Sequence, residues 1–500
     1  MTQKQTMLGL TAALFLAGCG VQTQPAQSDV TTLTSASASG AARYIVALRN
    51  DRLPDALTRR IAALGGSVQL AYPAAGFAIV QGLTPTSASA LAKDAEVASV
   101  LLDEEIQVLD PVREADSEAA DSATSDAEGS ATGAMFANRQ WHHQVIGADK
   151  VSAALEGQVG SPDVTVAILD TGIDPMHPDL AGLVDSARSK SFIPGDAQLV
   201  NTFFPGRPDW TDLNGHGSHV ASTVSSNGVL ANGVTTKTTL MAVKVLSARG
   251  RSFQGSVLAG IAHATENGAD VINMSLGGFA DRKDMSAKGG DGPSYIATVN
   301  KVINYAARKG VTIVVSAGNS TIDMDHDKNG YKAYCSAPNV ICVSATGPTV
   351  SGPNNGSQSP TSFNTWTDDV DALAAYSNYG RSSIDVAAPG GNYNDDPASI
   401  PGYVWQACST SRLNYSAATG AYSKNLCATA TQARVAGYVG TSMASPHVAG
   451  LAALMVEKYG KNPAAVRAAI QQSADDLGQP GVDAAYGKGR INVARAMGVQ

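Results

Sequence analysis

The chain has 500 residues, a formal net charge of −8 and a hydrophobic fraction of 44%. It is too long for one small domain and apolar enough for a large core, so one large domain with additions is expected. The acidic balance argues against the basic face of a nucleic-acid binder, so no nucleic-acid partner is expected.

Near the N-terminus, Lys4 precedes the apolar run "MLGLTAALFLAG", too short to stay in a bilayer as a spanning helix. The run ends in "LAGC", which resembles the bacterial lipobox, with Cys19 as the residue lipidated after cleavage. Residues 1–18 therefore read as a lipoprotein signal, and the polar, low-complexity stretch 19–41 as a flexible tether. Next, "ARYIVALR" alternates as a strand, and "LPDALTRRIAALGG" has helical spacing with a glycine stop at Gly65 and Gly66. "SVQLAYPAAGFAIVQGL" reads as a hairpin, "TSASALAKDAEV" as a capped helix and "ASVLLDEEIQVL" as a last strand. The order β-α-β-β-α-β over 42–109 predicts a small α+β, ferredoxin-like unit. Residues 113–134 carry Glu114, Asp116, Glu118, Asp121, Asp126 and Glu128 and no large apolar side chain before the end. Such a stretch cannot repay its ordering entropy, so 110–140 is expected to be a disordered, nickable linker.

From Trp141 the pattern changes. "DVTVAILDTGID" is an apolar strand running into a turn. "SVLAGIAHATENGADVINMSLGG" and "IATVNKVINYAARKGVTIVVSAGNS" each read as helix, glycine stop and buried strand. This alternation predicts an α/β domain over 141–500, with a doubly wound, mostly parallel sheet and helices on both faces. Its site should lie beyond the carboxyl ends of the strands, where "DTGID", "SLGG" and "SAGNS" fall.

With Cys19 set aside, Cys335, Cys342, Cys408 and Cys427 remain. An even number in an exported chain suggests two disulfides. Of three connectivities, the short spacings favour Cys335–Cys342 and Cys408–Cys427. No zinc-finger spacing accompanies them.

Three segments carry the chemistry: "AILDTGID" with Asp170, "NGHGSHVAS" with His216 and "GTSMASP" with Ser442. A carboxylate, an imidazole and a hydroxyl can act as orienting group, base and nucleophile. A fourth, "VVSAGNS", sets Asn319 in a turn after a buried strand. The four motifs, in this order, resemble those of the subtilisin-like serine proteases, over about residues 141–495. The resemblance implies an Asp170–His216–Ser442 triad working through an acyl-enzyme, with Asn319 and the Ser442 N–H as the oxyanion hole. It also implies polypeptide substrates, paired with the strand Ser275, Leu276, Gly277 and Gly278. Ser316, Ala317 and Gly318 would form the opposite wall of the specificity pocket. Small residues on both walls suggest a roomy apolar pocket favouring large uncharged side chains. Ser218 stands where the family usually has Thr and keeps the hydroxyl. His219 is expected to be structural. Pro446 is expected to cost little near the helix start.

The same resemblance makes 42–109 an inhibitory propeptide, with maturation inside the linker. Catalysis should need no cofactor. Structural calcium is expected at most at "DMDHDKNG", where Asp323, Asp325, Asp327 and Asn329 alternate as in a calcium loop. The acidic twelfth residue is absent, since Ser336 stands there. The expected protein is a monomeric serine endopeptidase exported from a bacterial cell. Its precursor would be membrane-held through lipid at Cys19, and the mature enzyme released. A binding protein on an inactive protease scaffold and a structural surface lipoprotein are the rival readings. The presence of all four key residues disfavours the first, and the second predicts no self-processing and no effect of Ser442→Ala. A lipase would place the serine first in a "GxSxG" elbow, which this chain does not.

Overall fold

The computed structural model describes residues 42–103, 105–107, 114–115, 133–277, 279–281, 291–327, 330–348, 370–392, 402–425 and 434–500. The signal, the tether with Cys19 and most of the acidic linker lie outside them. Among the described residues, no helix is long and apolar enough to cross a membrane.

The N-terminal unit comprises β1 (Arg43–Leu48), α1 (Asp55–Ala63), β2 (Ser67–Tyr72), β3 (Phe77–Gln81), α2 (Pro85–Leu91) and β4 (Val97–Leu102). Its strands form an antiparallel sheet in the order β2-β3-β1-β4, as the ferredoxin-like pattern predicts. Gly65, with φ +86°, ends the first helix, and the Thr84 hydroxyl caps the second by accepting from Ser87 N–H at 3.1 Å. Alternation along β1 divides its side chains. Tyr44, Val46 and Leu48 pack with Leu57, Ile61 and Leu91 of the unit's own helices. Ile45 joins Phe77, Ile79 and Leu101 in a second cluster shared with the large domain.

The last predicted strand of this unit splits. β5 (Glu105–Gln107) leaves the small sheet and pairs with the strand Arg251–Phe253 of the large domain. β6 (Glu114–Ala115), inside the linker, also pairs with the large domain. The large domain begins earlier than the pattern change at Trp141 suggests. Met135 N–H and Phe136 N–H bond to the carbonyls of Val229 and Leu230, and Gln140 is buried against Asn232. Those residues are polar or isolated in sequence, and only the loop 229–232 reveals their partners.

The large domain continues with α3 (Trp141–Val145), α4 (Ala148–Ala154), β7 (Thr165–Asp170), β8 (Lys190–Ser191), α5 (Asp196–Phe203), α6 (His216–Val224), β9 (Thr239–Lys244), β10 (Arg251–Phe253), α7 (Gln254–Glu266) and β11 (Val271–Met274). Then come β12 (Phe279–Asp281), α8 (Gly292–Arg308), β13 (Thr312–Ser316), β14 (Gly330–Lys332), β15 (Val340–Thr346) and β16 (Val386–Pro389). β17 (Val404–Cys408), β18 (Leu413–Ser416), β19 (Ala421–Lys424), β20 (Arg434–Tyr438), α9 (Thr441–Tyr459), α10 (Pro463–Ser473) and α11 (Val493–Met497) complete it.

Seven strands form the central sheet in the order β16-β15-β13-β11-β7-β9-β8, with every pairing parallel. Apolar side chains leave both faces. Val166 and Ile168 join the core containing α6 and α9, and Ala167 and Leu169 the core containing α7 and α8. This is the doubly wound α/β architecture. After β7 the chain builds toward β9, then returns to β11 on the other side. The switch in direction therefore opens a crevice at the carboxyl ends of β7 and β11.

Candidate active site

Asp170 is the last residue of β7 and has no solvent exposure. Its Oδ1 lies 2.8 Å from His216 Nδ1 and accepts from Thr171 N–H at 2.7 Å. His216 opens α6, and the start of that helix is tied to β7. Gly217 N–H donates to Thr171 Oγ1 at 2.8 Å, and Ser218 N–H to Asp212 Oδ2 at 2.8 Å. His216 N–H itself finds Asn214 Oδ1 at 3.2 Å. The first-turn donors that a helix leaves unpaired thus fix the imidazole against the carboxylate. Gly217 is required here, because a Cβ would overlap the Gly172 carbonyl.

Asp212 was not legible as a site residue, yet it organises this corner. Fully buried, it accepts from the Thr171 and Ser218 hydroxyls at 2.8 and 2.7 Å. The Ser218 hydroxyl also accepts from Asp174 N–H, so the Ser-for-Thr exchange keeps a working group. Lys244, also fully buried, bonds the Thr171 carbonyl at 2.5 Å and pairs with Asp196 at 2.9 Å. It braces the turn that follows Asp170.

Ser442 is the second residue of α9. Its Oγ donates to the Ser275 carbonyl at 3.2 Å. His216 Nε2 is buried and, among the described residues, has no hydrogen-bond partner. The carboxylate–imidazole half of the expected triad is therefore closed, and the imidazole–hydroxyl half is open in this conformation. Asn319 lies on the other side of the helix start. Its Oδ1 accepts from Thr441 N–H at 2.9 Å and from the Thr441 hydroxyl at 2.8 Å. Both partners donate, so the carbonyl oxygen of the Asn319 amide is fixed toward Thr441 and its Nδ2 is turned away. The Thr441 hydroxyl also accepts from Gly318 N–H at 3.0 Å. Thr441 thus holds the strand end to the helix.

Pro446 sits inside α9, beyond the first turn where it was expected. It cannot donate to the carbonyl four residues back, which belongs to Ser442. The Ser275 hydroxyl supplies that bond at 2.8 Å, while accepting from Asn273 Nδ2 at 3.0 Å. The signal was available in sequence as a proline four residues after Ser442. The side chains of Leu276 and Ala317 are buried in the core, so these two positions can offer only backbone to a substrate. Gly278 lies outside the described residues.

The aspartates of "DMDHDKNG" are turned to separate partners. Asp323 pairs with His326 at 2.7 Å, Asp325 accepts from Ser382 and Ser383, and Asp327 accepts from Gly330 N–H. Asn329 lies outside the described residues. Among the described residues these carboxylates do not converge, so the residues as placed do not fit a shared calcium ion. The alternating pattern instead serves local turn hydrogen bonds.

A cluster of three buried imidazoles joins α3 to α9: His142 and His143 of α3 and His447 of α9, with ring nitrogens within 4.8 Å of one another. His142 Nδ1 and His447 Nε2 are 2.8 Å apart, a hydrogen-bond distance that needs one proton between them. His447 Nδ1 donates to the Met443 carbonyl at 2.8 Å. His219 stacks on Tyr438 and bonds the Val404 carbonyl, a structural placement. Burial lowers the pKa of His143 and His219 to about 3 and that of His447 to about 4, and takes His142 well below its ordinary value. All four are neutral core groups.

Cys335 and Cys342 form a disulfide, with Cα atoms 5.1 Å apart. Cys408 is disulfide-bonded as well, and Cys427 lies outside the described residues.

A buried carboxylate–imidazole pair and a helix-start serine, at the switch point of a doubly wound sheet, are the marks of a serine protease. The Peptidase_S8 model, described as the subtilase family, matches residues 161–489. The chain belongs to this family and is a subtilisin-like serine endopeptidase. It is 31% identical over 341 residues to a thermophilic serine proteinase of Bacillus sp. (strain AK1), covering 68% of this chain and 62% of that protein. It is 30% identical over 365 residues to thermitase of Thermoactinomyces vulgaris, covering 72% of this chain and 97% of thermitase. The crystal structure of the epidermin leader peptide processing serine protease from Staphylococcus aureus shares the fold. Its TM-score is 0.64 at 22% identity, covering 92% of this chain and 98% of that one. Catalysis in this family needs no cofactor.

Proposed function

We propose that Asp170, His216 and Ser442 are the triad of this endopeptidase, and that Asn319 Nδ2 and the Ser442 N–H form its oxyanion hole. The observation that carries the assignment is the 2.8 Å bond between buried Asp170 and His216, beside the α9 start. For reaction, this reading requires the Ser442 hydroxyl to leave the Ser275 carbonyl and donate to His216 Nε2 instead. The hydroxyl oxygen then attacks the peptide carbonyl carbon while its proton passes to Nε2. Asp170 stabilises the imidazolium. Asn319 Nδ2 and the Ser442 N–H receive the developing oxyanion, a contribution of about 10²–10³ in turnover per donor. The leaving amine takes the proton from His216, and a water activated by the same base releases the acyl group. The substrate adds as an extended strand along Ser275–Gly278.

The unit 42–109 acts in this reading as an inhibitory propeptide. β5 and β6 support it, because each adds a strand to the large domain from either side of residues 108–113. Maturation falls between about 110 and 140. The precursor is exported and held by lipid at Cys19. Because the anchor precedes the propeptide, self-cleavage in the linker releases the mature enzyme. A serine-directed fluorophosphonate tests the assignment. It should label processed wild type at Ser442, and should fail on Ser442→Ala. A folded, processed wild type that does not react would overturn it.

A further inference from the structure

We propose that His142, His143 and His447 bind a zinc ion that clamps α3 to α9, the helix that carries Ser442. The ion site stands on the geometry of the three rings. Its bearing on the enzyme rests on the reading above, in which Ser442 is the nucleophile and α3 follows the cleaved linker.

Two distant stretches of sequence meet here, α3 with His142 and His143 and α9 with His447. All three side chains are buried, His142 and His447 with no solvent exposure. Each offers one ring nitrogen to a set lying within 4.8 Å of one another. Nitrogens bound about 2.0–2.1 Å from one zinc stand at most about 4.2 Å apart. His142 Nδ1 and His447 Nε2, 2.8 Å apart, are already inside that limit. The rest of the set exceeds it by less than about an ångström, a difference that ring rotation closes.

The hydrogen bonds around the rings favour the same use. His447 Nδ1 donates to the Met443 carbonyl at 2.8 Å, so its Nε2 carries a lone pair. A ring N–H held by a backbone carbonyl, with the other nitrogen left as ligand, is the usual setting of a metal-bound histidine. The proton shared between the two rings therefore belongs to His142 Nδ1. That leaves His142 Nε2 with a lone pair too, buried and, among the described residues, without a hydrogen-bond partner. The Trp405 carbonyl bears on this ring without completing a bond to Nε2. A zinc ion in place of the shared proton resolves both: Nδ1 of His142 and Nε2 of His447 become ligands, and the His142 proton moves to Nε2, on the side that a carbonyl favours. The Asn232 carbonyl bears likewise on His143. Gln406 adds a further polar group. Its Nε2 lies 3.5 Å from His143 Nε2, and its Oε1 is buried and, among the described residues, unpartnered.

Burial keeps all three imidazoles neutral, the form that ligates a metal. Among the described residues, no carboxylate or thiolate joins the set. Imidazoles alone suit zinc, copper or nickel rather than calcium or magnesium, and zinc brings no redox chemistry. An apolar core would fill this space without leaving a ring nitrogen and an amide oxygen unpaired. The ion holds the first helix after the linker against the helix that positions Ser442. It stabilises the fold without touching the peptide bond.

The test measures zinc by elemental mass spectrometry in the full chain, expressed from residue 20 in zinc-supplemented medium. Fluorophosphonate stops self-digestion, and gel filtration with a chelator strips surface ions. Wild type should hold one zinc per chain. In His142→Gln and His447→Gln the zinc content should fall by on the order of 10-fold or more. Should these variants fail to fold, wild type grown on cobalt in place of zinc decides. Four-coordinate, nitrogen-ligated cobalt absorbs visible light strongly, and cobalt loosely bound at the surface does not. Zinc-free wild type, folded variants that keep the zinc, or absence of the cobalt bands overturns the proposal. Wild type that holds one zinc yet does not react with the fluorophosphonate overturns the triad reading and leaves the ion site standing.

Discussion

Ser275 and Ser442 exchange hydrogen bonds: the Ser275 hydroxyl donates to the Ser442 carbonyl at 2.8 Å, and the Ser442 hydroxyl to the Ser275 carbonyl at 3.2 Å. The first bond exists because Pro446 has no N–H to give. Ser275→Ala should leave a buried carbonyl unpaired and cost about 1–3 kcal/mol of stability. Pro446→Ala should restore the helical donor. In the Ser275→Ala background it should recover part of that loss, and in wild type it should change little. Denaturant melts of the four proteins form the cycle that measures the coupling. Additive effects would show that Ser275 does not stand in for the missing donor.

Thr441 sets the direction of the Asn319 amide through both its N–H and its hydroxyl. Asn319→Ala should lower kcat by about 10²–10³ with little change in KM. Thr441→Val keeps the shape and the N–H but loses the hydroxyl bond. Its kcat should fall between wild type and Asn319→Ala, again with KM nearly unchanged. A KM effect larger than the kcat effect would place Thr441 in substrate binding instead.

How far the sequence led can be judged from these residues. Asp170, His216, Ser442 and Asn319, the residues proposed as triad and oxyanion donor, stood out as candidates because each is a polar residue in a small-residue turn at the end of a strand or the start of a helix. The doubly wound sheet was legible because its strands are apolar on both faces and alternate with helices. Thr441 and Asp212 were not, because hydroxyls and carboxylates near turns have many ordinary uses, and only hydrogen-bond geometry separates them. The aspartates at 323–327 show the converse: alternating spacing resembles a calcium loop, yet the carboxylates satisfy nearby N–H and hydroxyl groups.

The buried imidazoles give the fold an acid sensitivity of definite sign. Their folded pKa values lie below the ordinary value near 6.5, so the unfolded chain binds protons that the folded chain refuses. Their stabilising contribution is fully present above about pH 6.5 and declines as pH falls toward the folded values. The loss is about 1.4 kcal/mol per pH unit for each imidazole. Burial raises Asp103, Asp179 and Asp385, which act in the opposite sense. The imidazole share is therefore read by difference. Urea melts from pH 8 to 5 should show a steeper fall for wild type than for His143→Gln. Parallel curves would mean that His143 is charged in the folded state.

Asp103 joins the small unit to the large domain. It pairs with Arg43 at 3.0 Å and accepts from Gly255 N–H, in the first turn of α7, at 2.8 Å. Asp103→Ala in the full chain removes a buried charged acceptor at this junction, worth about 1.5–3 kcal/mol. After cleavage the variant propeptide should dissociate sooner. The lag before activity appears should therefore shorten relative to wild type. An unchanged or longer lag would separate Asp103 from inhibition.

The central claim is that this chain's own Ser442 cleaves peptide bonds, beginning with its linker. Intact mass and N-terminal sequencing of wild type and Ser442→Ala, expressed side by side from residue 20, test it most directly. The account predicts that wild type loses everything up to a point between residues 110 and 140, and that Ser442→Ala stays full length. Ser442→Ala trimmed to the same N-terminus, or wild type that stays full length and unreactive to the fluorophosphonate, would contradict it.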